Sequence, residues 1–401
     1  MDMKFMNSRS EVSRFVRRSM GTGVACALSL VTQAVTSPAF AGPNEQAQRI
    51  YERIAGVPPS PSVLAQMVTH TSTADFVGAA AIATNAPSFY NVTLKNMVIP
   101  WTNRDQTVFA PLNDYAATVI GMVRDNVPFN TALSADILYT VNASGLPAVS
   151  NANNNHYATA ETNGVDLMAN LVATTQSQAY GIPTEATAGL LTTRGAASAF
   201  FVAGTNRAMF RFTMINHLCN DMPTVMDTTR PSDRIRQDVA RSPGGDSRVF
   251  LNNCLGCHSG MDPMAQAFAY YNFDATAQVL AYTPNIVQPK YLINSANFPQ
   301  GFVTPDNSWA NRWRAGSNTV LGWDPSLPGS GTGAKTLGQE LAASDAFAQC
   351  QVTKVFQTVC FRAPTNAADL AQVATIKASF KAGGYNLKQV FQQAAAACPG
   401  S

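Results

Sequence analysis

The spacing of hydrophobic residues predicts a chain made mostly of helices. Near its beginning, Ala47, Ile50, Tyr51 and Ile54 recur at intervals of three and four residues, which is the pattern of an amphipathic helix, and Gly56 ends it. Similar spacing predicts further helices over 113–124 and 130–138, a helical pair over 193–219, and three C-terminal helices over about 336–360, 366–381 and 387–397.

Two stretches without periodicity are predicted as loops. Residues 141–165 are rich in Asn, Ser and Gly, and residues 283–334 are rich in Pro, Gly and Asn. The second stretch holds three of the four tryptophans, Trp309, Trp313 and Trp323. These side chains either line a functional site or fill gaps against the core. We therefore expect a long, irregular, aromatic-rich loop before the C-terminal helices.

The most specific chemical signal is a Cys-x-x-Cys-His motif at residues 254–258. At this spacing two thiols on one short turn bond to the two vinyl groups of haem, and the adjacent His258 binds the iron. A zinc site needs two more soft ligands at short spacing, and none lies near. The flanks also differ from the strand-to-helix junction of a redox dithiol. The motif predicts one covalent haem c per chain, held by Cys254 and Cys257.

The segments on either side of the motif are also informative. After it, Asp262 is expected to cap a new helix with Pro263 at the first position, running to about Tyr271. Before it lie five arginines, which we expect to form a solvated face balanced by nearby aspartates, with one of them meeting a haem propionate. These are Arg230, Arg234, Arg236, Arg241 and Arg248.

The N-terminus has the features of a secretion signal, which haem attachment outside the cytoplasm requires. A basic segment that ends at Arg18 precedes a short apolar run over 23–35, and residues 39–41 read Ala-Phe-Ala, a cleavage site. The run is too short and too polar to span a bilayer. We predict a cleaved signal peptide over residues 1–41 and a periplasmic or extracellular protein without a transmembrane segment in the mature chain.

The signal peptide carries the whole excess of positive charge. It holds five of the 27 basic residues and two of the 24 acidic ones, which leaves 22 of each in the mature chain. A neutral chain is a poor ligand for a polyanion, so we do not expect a nucleic-acid partner.

Three stretches in the second part of the chain follow a common pattern. The first is Gly-Leu-Leu-Thr at 189–192, with Arg207 and Cys219 further on. The second, 254–274, runs from the haem motif through Met-Asp-Pro to Asn-Phe-Asp, and the third, 341–365, runs from Leu-Ala-x-Ser to Arg-Ala-Pro-Thr. Together these stretches resemble the planctomycete-type cytochrome c-associated proteins of unknown function.

This resemblance covers about residues 185–401 and implies an exported haem protein without naming a substrate. The chain departs from the pattern by carrying Phe361-Arg362 where those proteins have Gly-Arg before the Pro-Thr turn. Its loop between the haem motif and the C-terminal helices is also longer.

The axial ligands of the iron are only partly predicted. His258 is the proximal ligand, and its other ring nitrogen should donate to a backbone carbonyl or a carboxylate. The sixth ligand is open, because no His or Met follows Met264. The candidates are Met261, His217, Met222, His70 and His156. An open or water-bound position is a further alternative, and it would favour small-ligand chemistry over electron transfer.

The remaining four cysteines of the mature chain, an even number in an exported protein, predict two disulfides. Cys350 and Cys360 lie ten residues apart on one predicted helix, roughly 15 Å, which exceeds the usual limit of about 7 Å. The last helix returns toward Cys360 and delivers Cys398 there. We predict Cys360–Cys398 and Cys219–Cys350, with buried free thiols as the alternative.

The predicted fold is mainly α. It consists of a helical N-terminal domain over 42–180 and a cytochrome c-like helical haem domain over 181–401, which includes the long loop and a C-terminal helical bundle.

The predicted function is electron transfer by an exported c-type cytochrome, with an unidentified redox protein as its partner. The alternatives are a haem enzyme or small-ligand sensor with an open iron position, and a structural or interaction protein of an envelope assembly. No hydrolase or dinucleotide motif occurs, and a dihaem peroxidase needs a second Cys-x-x-Cys-His. The sequence therefore favours an electron carrier over an enzyme.

Overall fold

A computed structural model describes residues 41–202, 204–292 and 295–399. The predicted signal peptide lies outside these residues except for Ala41. The structure is 55% helical and its sheets are small, so the prediction of a mainly α fold is confirmed.

Helices occur along the whole described chain. The α-helices are α1 (Pro43–Ala55), α2 (Pro61–Thr71), α3 (Phe76–Ala83), α4 (Lys95–Val98), α5 (Asp114–Arg124), α6 (Asn155–Thr162), α7 (Leu167–Asn170), α8 (Gln176–Tyr180), α9 (Arg194–Phe200), α10 (Arg207–Leu218), α11 (Ser247–Asn253), α12 (Leu255–Ala265), α13 (Gly333–Ala342), α14 (Asp345–Cys360), α15 (Ala367–Ala382) and α16 (Leu387–Ala397). A π-helical stretch, Phe89–Leu94, runs into α4, and short 3₁₀ turns join many of the other helices.

The strands form antiparallel pairs. They are β1 (Leu138–Val141) with β2 (Leu171–Thr174), β3 (Tyr271–Asp274) with β4 (Val279–Tyr282), and β5 (Ser308–Ala310) with β6 (Ser330–Thr332). The second pair follows the haem motif, and the third lies within the predicted long loop. Each pair is a two-stranded ribbon beside the helices rather than a layer of its own.

The helices predicted from hydrophobic spacing are present at α1, α5, α9, α10, α15 and α16. The prediction of one helix over about 336–360 is wrong in one respect, because the helix breaks between α13 and α14. Ser344 has an extended backbone there, and its hydroxyl accepts a hydrogen bond from the N–H of Phe347. A capping serine of this kind starts a new helix. The predicted loop over 141–165 contains α6.

The helix predicted over 130–138 is wrong. A 3₁₀ turn over Phe129–Thr131 is followed by strand β1 instead. The ring of Tyr139 packs directly against Gly121 of α5, where an added Cβ would lie 2.1 Å from the ring. This tertiary contact and the pairing with β2 outweigh the local helical spacing.

One cluster of buried hydrophobic side chains extends from Ala47 in α1 to Cys398 after α16. Within it, α16 packs against α1, α3 and α14, so the last helix lies on the first ones. Helices from both sides of the predicted boundary at residue 180 therefore contribute to one core, and the division into two domains stays a prediction. None of the described helices has both the length and the apolar character that crossing a membrane requires.

The two predicted disulfides are present. Cys219, at the end of α10, bonds to Cys350 in α14 with a Cα–Cα distance of 5.2 Å. Cys360, the last residue of α14, bonds to Cys398 with a Cα–Cα distance of 5.9 Å. Helix α14 is thus covalently tied at two points, once to the segment before the haem motif and once to the C-terminus.

Candidate haem-attachment site

The Cys-x-x-Cys-His motif at residues 254–258 lies at the junction between α11 and α12. Cys254 is the residue between the two helices, and Cys257 and His258 belong to the first turn of α12. The N–H of His258 donates to the carbonyl of Cys254 at 3.0 Å, which closes this turn. Residues three and four apart lie on one face of a helix. The two thiols and the imidazole therefore share a face, and both cysteines are partly exposed.

The predicted start of a helix at Asp262-Pro263 is wrong. Helix α12 begins at Leu255, passes through both residues and ends at Ala265, short of the predicted Tyr271. Asp262 does not act as a cap, because its carboxylate contacts the side chains of His258 and Arg207. Pro263 stays in the helix and forgoes the hydrogen bond its missing N–H would make.

The cysteines of the described chain fall into two groups. Four are paired in disulfides, and Cys254 and Cys257 both remain free thiols. The Cys257 thiol donates to the carbonyl of Met222 at 3.5 Å. Burial, with Asp221 and Cys254 adding to it, raises the pKa of this thiol. A redox dithiol reacts as a thiolate whose pKa is lowered, whereas the pKa of Cys257 is shifted in the opposite direction.

The opposite face of α12 packs closely on a neighbouring segment. The carbonyl of Gly256 accepts from the N–H of Asp227 at 3.0 Å, and the hydroxyl of Ser259 donates to the carbonyl of Asp227 at 3.1 Å. A Cβ at Gly256 would lie 3.3 Å from the Cβ of Met226. These contacts hold the first two turns of α12 on the side opposite the thiols and the imidazole.

One turn further on, Trp313 lies against Gly260 on the same back face. A Cβ at Gly260 would be 2.0 Å from the indole Nε1, and Trp313 is completely buried. Trp313 also packs beside Phe210, with ring centroids 5.8 Å apart. This tryptophan therefore fills the core behind the motif and does not lie on the face with the thiols.

His258 is held by a buried carboxylate. Its Nδ1 lies 3.1 Å from Oδ1 of Asp262, one helical turn along α12. The imidazole is 19% exposed, and the Asp262 side chain is fully buried. Within the residues that the structure describes, Nε2 of His258 makes no hydrogen bond, so the nitrogen that would bind iron is left available.

Asp262 is itself held by two arginines. Arg207 in α10 donates to both of its oxygens, Nε to Oδ1 at 2.7 Å and Nη2 to Oδ2 at 2.9 Å. Nη2 of Arg236 lies 3.6 Å from Oδ1. Burial by itself would raise the pKa of Asp262, but Arg207, Arg236 and His258 hold that pKa well below its usual value. The group that faces His258 is therefore a carboxylate.

The prediction that the five arginines before the motif form a solvated face is wrong. Arg248 is exposed as predicted, with 82% of its side chain accessible, and it pairs with Asp246. Arg236 is instead a core residue, whose guanidinium lies 4.9 Å from the centre of the Tyr291 ring. Arg230 pairs with Asp227 behind the motif, while Arg234 and Arg241 lie over phenylalanine rings.

The histidine candidates for the sixth ligand are engaged elsewhere. His156 accepts from the N–H of Val141 at Nε2 and donates to the carbonyl of Pro147 at Nδ1, so both of its ring nitrogens are occupied. His70 pairs with Asp75 on the surface near the end of α2. His217 is buried, with Nε2 2.7 Å from the Tyr115 hydroxyl. None of the residues that these three histidines contact belongs to the Cys-x-x-Cys-His motif.

The methionine candidates are closer. Met261 lies three residues after His258 on α12, and it is 6% exposed and packed in the core cluster. Met222 begins a 3₁₀ turn over Met222–Val225, and its carbonyl meets the Cys257 thiol. Met226, which sequence reasoning missed, is 46% exposed and touches Gly256. Upstream methionines therefore flank the motif.

No protein-family model matches the chain, and no curated protein and no solved structure is significantly similar to it. Phe361 has a left-handed backbone (φ 54°) at the end of α14, and its N–H donates to the carbonyl of Gln357. Glycine adopts this conformation most easily, so a residue with a side chain is strained at this position.

The residues of the motif fit a covalently attached haem. Two free, partly exposed thiols lie one turn apart, and an imidazole beside them has one nitrogen held by a carboxylate and the other available. Metal-bound histidines characteristically have such a partner on the second nitrogen. Of the groups around His258, the sequence indicates the thiols and the imidazole, whereas Arg207 comes from a separate helix and gives no local signal.

Proposed function

We propose that this protein is an exported c-type cytochrome that carries one covalent haem and transfers electrons. The observation that carries the proposal is the pairing of two free thiols in one helical turn with an imidazole anchored on a buried carboxylate. Cys254 and Cys257 would hold the haem and His258 would bind its iron. The bound haem supplies a one-electron couple between ferric and ferrous iron.

Attachment requires only the side chains of the motif and the vinyl groups. Each thiol adds across one vinyl double bond: sulfur bonds to one carbon, the thiol hydrogen goes to the other, and no oxidant is consumed. Half-exposed Val249 and Leu251, just before the motif, offer apolar surface for a porphyrin face. The two disulfides support an oxidising compartment outside the cytoplasm, as the predicted signal peptide does.

The packing behind the motif supports an electron carrier over a haem that serves only folding. Helix α12 is held from behind by the backbone contacts of Asp227 and by Trp313, and His258 is held from the side by Asp262. A rigid ligand set changes little between oxidation states. We also propose kinship with the planctomycete-type cytochrome c-associated proteins, on the strength of the shared motifs.

The test is production of the full chain in a bacterial host that attaches haem to exported proteins. We expect one haem per chain that stays on the protein in acid–acetone, and a peptide over 254–258 whose mass includes haem. Cys254→Ser and Cys257→Ser should each lose one thioether. His258→Ala should change the visible spectrum, and His70→Ala, the matched control on the surface, should not. Folded protein without covalent haem from this host would refute the proposal.

An open iron position is the second candidate, because His70, His156 and His217 are all engaged elsewhere. Carbon monoxide separates the two candidates. A six-coordinate electron carrier keeps its ferrous spectrum when carbon monoxide is added, whereas an open position binds the gas and shifts the Soret band. If the spectrum is unchanged, Met222→Ala and Met226→Ala identify the sixth ligand, since the variant that loses it becomes able to bind carbon monoxide.

A further inference from the structure

Asp262 occupies an unusual place for an acidic residue. It lies inside α12, one turn after His258, and its side chain is fully buried. A residue four positions along a helix lies directly beside the first, and the carboxylate Oδ1 is accordingly 3.1 Å from Nδ1 of His258. Nothing in the local sequence requires an acid here, because the helix starts seven residues earlier at Leu255.

The far side of this carboxylate is clamped. Arg207 forms a two-pronged pair with it, at 2.7 Å and 2.9 Å, and uses its other donors on Asp238 at 2.6 Å and 2.9 Å. A bidentate pair fixes the plane of the carboxylate as well as its position. Asp262 therefore cannot rotate away from His258 without breaking two charged hydrogen bonds in the core.

Arg236 completes the clamp. It is 2% exposed, its Nη2 lies 3.6 Å from Oδ1 of Asp262, and the same nitrogen donates to the Thr205 hydroxyl at 2.8 Å. The ring of Tyr291 covers its guanidinium at 4.9 Å. The partly exposed Arg207 and the buried Arg236 thus face one side of Asp262, and the imidazole faces the other.

We propose that Asp262 is the positioning residue of the haem site: it fixes the ring of His258 and lowers the midpoint potential of the haem. This inference rests on the proposed function. A carboxylate that accepts the Nδ1 hydrogen moves electron density toward Nε2 and makes that nitrogen a stronger donor. A stronger donor stabilises ferric over ferrous iron, so the potential falls. A neutral backbone carbonyl in the same place would polarise the ring less.

The experiment compares midpoint potentials of the full-length haem protein and two variants. Asp262→Asn keeps the shape and an acceptor oxygen but removes the charge beside His258. We expect the ferric-to-ferrous equilibrium to shift about tenfold toward ferrous iron, which is about +59 mV for a one-electron couple. Asp238→Asn is the matched control, because it removes a charge from the same Arg207 without touching His258, and its potential should stay near that of the wild type.

The outcomes separate this inference from the proposed function. Wild-type protein without covalent haem would overturn both. Haem-loaded Asp262→Asn with a potential equal to that of Asp238→Asn would overturn only the inference. If Asp262→Asn does not accumulate, Arg207→Lys loses the two-pronged pair while keeping its charge. It should raise the potential in the same direction, and an unchanged potential there would also overturn the inference.

Discussion

The indole of Trp313 lies against Gly260, so close that a single added carbon at position 260 would be 2.0 Å from Nε1. This contact fixes one face of the helix that carries the haem motif. It also makes a glycine necessary at a helical position where alanine would otherwise be preferred.

Gly260→Ala should therefore destabilise the protein. The added methyl overlaps a fully buried tryptophan, and overpacking of this kind costs about 1–3 kcal/mol. Urea unfolding measures the change. Gly256→Ala, one turn earlier on the same face, is the control, because its nearest neighbour is the partly exposed Met226 at 3.3 Å. Equal stability of the two variants would contradict the packing described at Trp313.

Phe361→Gly should stabilise the protein. The left-handed conformation at φ 54° costs roughly 1–2 kcal/mol for a residue with a side chain, and Phe361 is 72% exposed, so little packing is lost. Glycine is also more flexible in the unfolded chain, which offsets part of the gain. We expect a net increase of about 0.5–1 kcal/mol in the free energy of unfolding. Phe361→Ala removes the ring but keeps the strain, and it should show no gain.

The His217 imidazole should make the protein less stable in acid. Its burial, with Lys354 adding to the effect, lowers its pKa to about 3, whereas an unfolded chain has a histidine pKa of about 6.5. Between these values the unfolded state takes up a proton that the folded state does not. The free energy of unfolding therefore falls as pH falls, by up to about 1.4 kcal/mol per pH unit from this group.

Urea unfolding at several pH values between 7 and 4 measures this dependence. His217→Gln keeps an acceptor for the Tyr115 hydroxyl and should depend less steeply on pH than the wild type. His70→Gln, on the surface, should leave the dependence nearly unchanged. Parallel curves for the wild type and His217→Gln would show that His217 is protonated in the folded state.

The disulfide between Cys219 and Cys350 should matter for attachment of the proposed haem as well as for stability. Replacing Cys219 and Cys350 by serine opens a loop of 131 residues, and replacing Cys360 and Cys398 opens one of 38. Chain entropy predicts losses of roughly 5 and roughly 4 kcal/mol. Of the two disulfides, only Cys219–Cys350 anchors the start of the segment whose Asp227 contacts α12. Only the loss of this disulfide should therefore lower the haem content per folded chain. Equal haem content in both variants would contradict this.

The sequence was sufficient where local geometry decides the outcome. The ten-residue separation of Cys350 and Cys360 on one helix excluded their pairing, and the path of the last helices selected the partner Cys398. Both disulfides agree with this reasoning. The first helix and its end at Gly56 likewise follow from periodicity and a left-handed glycine.

Long-range contacts account for what the sequence missed. Asp262 before a proline has the local signature of a helix cap, but its partner Arg207 lies 55 residues away in another helix. The helix predicted over 130–138 gives way to strand β1, in which Tyr139 packs on Gly121. The burial of His217 is a property of the assembled core. None of these contacts is visible in the hydrophobic spacing of the sequence around the residue that it affects.

The bond between Cys219 and Cys350 closes a ring of chain that contains the whole haem motif. The irregular stretch over 283–334 lies in the same ring. A protease that cuts once within it would not release the piece with residues 254–258, because the fragments on either side remain joined through sulfur. Nicked protein would migrate as one band until a reductant is added, and the colour of the proposed haem would then follow the N-terminal fragment.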